Sequence, residues 1–280
     1  MKLYKKKLIK ASLLMVLIGT VLSVTAAVLG ANTSVYWSRG FNARYLRDIS
    51  FEEVLQPFSI IDISLIDMSM DIRYGDTFSI QASGYSYIPL QHNVMGGRLS
   101  VSNDQRMVVG TALPLISTTR YNFNERRDGG GITVTIPYGT SLNVIDLHIV
   151  GNHNVLVNDI VSTNVNIDNV GGNVMLYNVD FSNTSLYSIG GSVIALGDFT
   201  GLLQISTTGG DINLTLPNLR QSYSYSFETW GGNLFISGDS NYGHGMYGNV
   251  RVNRHHTANN PHAVIDVDSF GGNIVVNFGE

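Results

Sequence analysis

From residue 129 onward the chain alternates apolar and polar positions in short runs broken by glycine pairs. The pairs are Gly171-Gly172, Gly190-Gly191, Gly209-Gly210, Gly231-Gly232 and Gly271-Gly272, spaced by 19, 19, 22 and 40 residues, the last being about two periods. Aligned on the first glycine, the position four before it holds Ile167, Leu186, Ile205, Phe227 and Val267. Three after it stand Val174, Val193, Ile212, Leu234 and Ile274, and five after it Leu176, Ala195, Leu214, Ile236 and Val276. Residues two apart share one face of a strand, so these columns predict a strand on either side of each turn. Glycine supplies the tight turn between them, because it reaches positive φ without steric cost. Two after the first glycine the side chains are small and polar: Asn173, Ser192, Asp211, Asn233 and Asn273. Leu147, Ile149, Val155 and Val157 make an earlier, degenerate unit.

One such unit cannot bury its own apolar face, but stacked units can. The expected fold is all-β: a single-stranded β-solenoid, β-helix-like, with coils of about 19–20 residues, apolar columns inside and an Asn/Asp/Ser ladder at the corner. A leucine-rich repeat has a similar period but needs Leu-dominated columns and a helical return. Calcium-binding nonapeptide repeats need tandem G-G-x-G-x-D, which no unit carries.

The N-terminal segment follows different rules. Ala11 to Ala31 is 21 residues without a charge. As a helix it would span roughly 31 Å, the thickness of a hydrocarbon core. All five lysines, Lys2, Lys5, Lys6, Lys7 and Lys10, precede it. The positive-inside rule then keeps residues 1–10 cytoplasmic and exports the remainder. A cleavage site at Thr25-Ala26-Ala27 is the rival reading; the length of the run favours an uncleaved signal-anchor. The expected organisation is therefore a basic tail (1–10), a transmembrane signal-anchor (11–31), a juxtamembrane connector (32–58) and a repeat domain (59–280). Ser50-Phe51-Glu52-Glu53 fits a capping box and predicts a short helix starting near Phe51 and stopping before Pro57. The expected location is the cell membrane, single-pass, with the C-terminal domain outside the cytoplasm.

Charge sharpens the partner class. Removing the five lysines from 17 basic residues leaves 12 Arg, against 21 acidic residues, so residues 11–280 carry −9 while residues 1–10 carry +5. An acidic body argues against nucleic acid, which needs a basic face. The chain has no Cys, which excludes disulfides, thiol nucleophiles and Cys-based metal sites. Charged residues are only 14% of the chain, well below the usual quarter.

Five stretches carry a family resemblance: IDISLIDMSMDIRYGD (61–76), GGGITVTIPYGTSLNVIDL (129–147), VGGNVMLY (170–177), TGGDINLTLP (208–217) and FGGNIVVNFG (270–279). With these the sequence resembles the bacterial "putative adhesin" family of membrane-anchored Gly-Gly β-strand-repeat proteins. The resemblance implies a β-solenoid at the cell envelope and carries over no catalytic residues.

Residues 237–262 break the repeat, as if one coil were missing or distorted. This stretch holds Tyr242, His244, Tyr247, Arg251, Arg254, His255 and His256, a set able to stack on and hydrogen-bond a glycan or a surface protein. The bland alternative is a solvated loop. Metal binding is not expected, because His255 and His256, adjacent on a strand, would point to opposite faces. No cofactor is expected either. Asp211 is accounted for as a corner-ladder residue, and no G-x-S-x-G, H-E-x-x-H or P-loop occurs. The function expected is non-enzymatic: adhesion, scaffolding or an envelope-stress role, with the membrane, an envelope glycan or a membrane or surface protein as partner. Self-association through an open sheet end is a further expectation. The alternative is a carbohydrate-active β-helix enzyme using a carboxylate pair.

Overall fold

The structure is a computed structural model. It describes residues 15–16, 35–38, 42–45, 47–86, 89–103, 130–237 and 251–279. The expected transmembrane segment therefore lies outside the described residues, apart from Met15 and Val16. Among the described residues no helix is long and apolar enough to cross a membrane.

The all-β expectation holds. A short antiparallel hairpin, β1 (Val35–Ser38) and β2 (Asn42–Tyr45), stands by itself. The other strands form one sheet. Its first third contains β3 (Arg47–Val54), β4 (Ile60–Ile66), β5 (Ser69–Gly75), β6 (Ser79–Ser86), β7 (Gln91–Met95), β8 (Arg98–Ser102) and β9 (Gly131–Pro137). The middle contains β10 (Ser141–Gly151), β11 (Val155–Asn158), β12 (Val161–Gly171), β13 (Val174–Ile189), β14 (Val193–Phe199), β15 (Gly201–Thr208) and β16 (Ile212–Leu216). After a 3₁₀ turn at Arg220–Ser222 come β17 (Tyr223–Trp230), β18 (Leu234–Ile236), β19 (Arg251–His256), β20 (Ala263–Phe270) and β21 (Ile274–Phe278).

Successive units pair in parallel at a fixed offset. Ile167 lies beside Leu186, Leu186 beside Ile205, and Val174 beside Val193 beside Ile212, each 19 residues on. The glycine turns separate two such ladders. β13, 16 residues long, is the second strand of one unit and the first strand of the next. The columns read from the sequence are the core: every residue of the −4, +3 and +5 columns is buried. Leu147, Ile149, Val155 and Val157 of the degenerate unit are fully buried too.

The two glycines of a pair do different work. Gly209 has φ +82°, where an L side chain is strained. Gly210 has ordinary φ, but a Cβ there would fall onto the carbonyl oxygen of Gly191 in the neighbouring unit. The polar corner ladder also forms. The backbone N–H of Ser192 donates to Asn173 Oδ1 (2.9 Å), that of Asp211 to Ser192 Oγ (3.2 Å), that of Asn273 to Asp211 Oδ1 (2.7 Å) and that of Asn233 to Asn273 Oδ1 (2.9 Å).

The order in that ladder corrects one expectation. Asn273 lies between Asp211 and Asn233, so units do not stack in chain order. β20 pairs with β15 on one side and β17 on the other, and β21 likewise lies between β16 and β18. The 40-residue spacing is therefore not two stacked periods: the Gly231 and Gly271 units are immediate neighbours. The unit of β17 and β18 is outermost, and the later strands β20 and β21 lie inside it, against β15 and β16. The other end is the mirror case: β8 and β9 pair outside β4 and β5, which precede them in sequence, and β10 and β11 then pair on the inner side of β4 and β5.

Antiparallel strands then cover the outer units. β19 pairs with β17, β7 with β8, β6 with β9, and β3 with β6. Local chain thus occupies backbone groups that an open edge would leave unpaired. The expected helix from Phe51 is strand β3 instead. Its pairing with β6, from Arg47↔Ser86 to Val54↔Ser79, outweighs the weak local preference of a capping box.

Two outcomes are expected in chemical denaturation. Ile205→Ala and Ile265→Ala should each lose about 2–5 kcal/mol, because both side chains are buried and Ile265, though near the C-terminus, lies between Leu203 and Tyr225. Gly209→Val should lose about 1–3 kcal/mol for its strained backbone, and Gly210→Ala should also destabilise despite its ordinary φ; a neutral Gly210→Ala would remove the close-approach argument.

Candidate functional site

In each unit the core columns fix a parity, and the residues between them face solvent. In β17, Phe227 and Thr229 are buried, so Glu228 and Trp230 point outward. In β20, Val267 and Ser269 are buried, so Asp266, Asp268 and Phe270 point outward. Parallel register places Asp268 beside Glu228 and Phe270 beside Trp230. On the far side, β19 places Arg251 beside Trp230. On the near side, Thr208 lies beside Phe270 and Ile189 beside Thr208.

The result is an aromatic platform at one end of the ladder. Phe270 is 64% exposed, Trp230 41% and Tyr187, two units away, 42%. Trp230 is held in place. Its Nε1 donates to Glu228 Oε1 (2.5 Å), Arg251 Nη2 donates to Glu228 Oε2 (2.5 Å), and the guanidinium carbon lies 5.6 Å from the indole centre. Such charge-assisted bonds are stronger than neutral ones. The Arg251 hydrogen bond holds the Glu228 carboxyl below its ordinary range, and the same bond raises Arg251. Asp268 shifts the other way: burial raises it first, and the neighbouring carboxylates of Asp266 and Glu228 add to this against the pull of Arg251.

The polar column beside the platform continues along the stack. Asp146, Asn166, Ser185, Gln204 and Asp266 lie in successive units. Asn166 Nδ2 donates to Asp146 Oδ1 at 2.9 Å. A shallow groove of about 250 Å³ runs over this column between Asn164, Asn183 and Leu202.

The residues expected to form a binding loop are divided by the structure. Tyr242, His244 and Tyr247 lie outside the described residues. Arg251 joins the platform. Arg254 donates from Nη1 to the carbonyl of its neighbour Asn253 (3.1 Å). His255 Nε2 lies 3.2 Å from Thr257 Oγ1, while the His256 ring is 5.4 Å from that of Tyr225. The two histidines do alternate, His255 being exposed and His256 half-buried. His262 is held by Asp198 at 2.7 Å, on the opposite side of β20 from the insertion strand. The turn glycines lie at the corners between strands, with Gly171, Gly190, Gly209, Gly231 and Gly271 at positive φ.

Glu228, Trp230 and Phe270 are not among the residues that sequence reasoning reaches. A signal existed. The position immediately before each glycine pair reads Val170, Ile189, Thr208, Trp230 and Phe270, a mostly apolar column at solvent-facing parity. Another column, two before the first glycine, was also passed over: Asn169, Ser188, Thr207 and Ser269 are buried and each donates to the carbonyl of the second glycine in its own turn.

No family model matches the chain, and no curated protein matches it. Two of the solved structures similar to it are described by name. One is a "putative adhesin" from Bacteroides fragilis, at 16% identity over 82% of this chain and 97% of that one, with TM-score 0.42. The other is a "putative cell adhesion protein" from Clostridium sporogenes, at 10% identity over 83% of this chain and 100% of that one, with TM-score 0.39.

Proposed function

We propose that the chain is a membrane-anchored cell-envelope protein whose exported part is a β-solenoid with an adhesion-type, non-enzymatic binding role. The observation that carries this reading is the aromatic platform: Trp230 and Phe270 sit side by side in solvent on paired strands. Large exposed aromatics on a fixed surface are the residues that dominate binding energy when a partner covers them. The parallel ladders support the solenoid reading, since each unit repeats its neighbour's register. The charge-free run at 11–31 after a basic tail supports the anchor.

One feature favours binding over hydrolysis. Both oxygens of Glu228 are engaged, by Trp230 and by Arg251. A hydrolytic pair needs one carboxylate able to attack or activate water and a second able to give up a proton. Fixing Glu228 as the brace of Trp230 serves a recognition surface instead.

The test uses the full chain displayed on cells. Adherence to a surface that the wild-type binds should fall about tenfold or more in the Trp230→Ala, Phe270→Ala double variant, a change of ~1.4 kcal/mol or more. Tyr138→Ala, at an equally open aromatic away from the platform, should adhere as wild-type does. Unchanged adherence in the double variant, with its unfolding midpoint intact, defeats the reading.

A further inference from the structure

The geometry points to a neutral polysaccharide as the ligand of this platform: sugar rings stack on Trp230 and Phe270, and sugar hydroxyls donate to Asp268. The inference rests on the binding role proposed above and names its ligand class.

Three features of the site select that class. The first is shape. Trp230 and Phe270 are neighbours on strands spaced by about 4.8 Å, and the column continues through Thr208 and Ile189 across the stack. This makes an open, flat track that runs across the strands and suits an extended polymer of flat rings. The second is hydrogen-bonding balance. Glu228 is used up by Arg251 and Trp230, whereas the carboxylates of Asp266 and Asp268 accept no hydrogen bond among the described residues. They remain acceptors, and a sugar hydroxyl is the donor that carries no charge of its own. In the outward column next to the track, Ser206, Tyr187 and Asp168 follow Asp268 in successive units, so a chain spanning several units meets a polar group at every step.

The third is charge. With Arg251 paired to Glu228, the surplus charge of the site is negative and repels an anionic polymer. A cationic ligand fits the sign, yet the cation position over the indole is already taken by Arg251, 5.6 Å from the ring centre. The platform also offers two aromatics on one plane of strands, open to solvent, where a cation would need enclosing faces.

The experiment is a binding series with the full chain in detergent. The probes are particles of cellulose, chitin and β-1,3-glucan, with polygalacturonate as an anionic probe and polylysine as a cationic one. Trp230 is one of only two tryptophans, so its fluorescence reports on contact. The expected result is retention on at least one neutral polysaccharide with a shift in tryptophan emission, little changed between low and high salt because no ion pair forms. Phe270→Ala and Trp230→Ala should each weaken retention about tenfold, and Asp268→Asn should weaken it severalfold, all with wild-type unfolding midpoints. The milder Trp230→Phe variant keeps an aromatic face and should retain most binding, which separates stacking from folding defects. Retention on polylysine alone, lost at high salt, overturns the proposal in favour of a cationic partner. Retention on no neutral polysaccharide, while the double variant still loses cell adherence, overturns the glycan assignment and leaves the binding role standing; normal adherence of that variant defeats both.

Discussion

The contact that the rest of this molecule depends on is the approach of one glycine turn to the next. At each corner the second glycine lies against the carbonyl of the neighbouring unit with no room for a Cβ, as Gly191 does against Gly172 and Gly210 against Gly191. That approach brings consecutive turns to strand spacing and so sets the register of both ladders. Register then decides everything downstream. It aligns Ile167, Leu186 and Ile205 into one buried column, and it aligns the backbone N–H groups at the corner with the Asn, Ser and Asp side chains of the unit below. A slip of one residue would turn every apolar side chain to solvent. The buried hydroxyls of Ser188 and Thr207, each bonded to the carbonyl of the second glycine, close the turn from inside.

A stack of parallel units has two ends, and at each of them two units stack out of chain order. Toward the C-terminus the chain skips a slot, forms the outer unit (β17, β18) and comes back to fill the gap; at the other end it forms the inner unit (β4, β5) first, then the outer one (β8, β9), and crosses back to β10. The last strands, β20 and β21, are thereby held on both sides rather than on one. β20 pairs with β15 and β17, and β21 with β16 and β18, so both strands are held between units formed earlier in the chain. The insertion that the return from β18 to β20 needs is cheap in loop-closure entropy, which grows only slowly with length. It also provides β19, the antiparallel strand that pairs with β17 on its outer side.

The sequence made the interior legible because burial repeats with the backbone. Five glycine pairs and three apolar columns specify which residues face inward and where the chain turns, and all of those columns are buried. Stacking order was not legible, because a 40-residue gap fits two periods as well as one insertion; only the pairing of β20 between β15 and β17 distinguishes them. The helix expected at Phe51 failed for a related reason. S-x-x-E is a local signal, and the partner that makes β3 a strand lies some thirty residues away in β6. The platform was half legible. Trp230 and Phe270 stand in an outward column that should be polar, yet their adjacency depends on β20 seating directly against β17 with no unit between them, which a 40-residue gap leaves open.

That dependence ties binding to folding. The platform draws Glu228 and Trp230 from β17, Arg251 from β19, and Asp268 and Phe270 from β20. Arg251 fixes Glu228, which fixes the indole, so the strand that covers the outer unit also restricts the aromatic ring and lowers the entropy cost of covering it. Phe270 reaches the indole only when the last strands have entered their slot. Strand β19, in the described part of the insertion, thus brings Arg251 to a platform whose other members come from β17 and β20. The binding surface exists only in a chain whose final unit is seated, so a partially folded protein presents Trp230 without its neighbour.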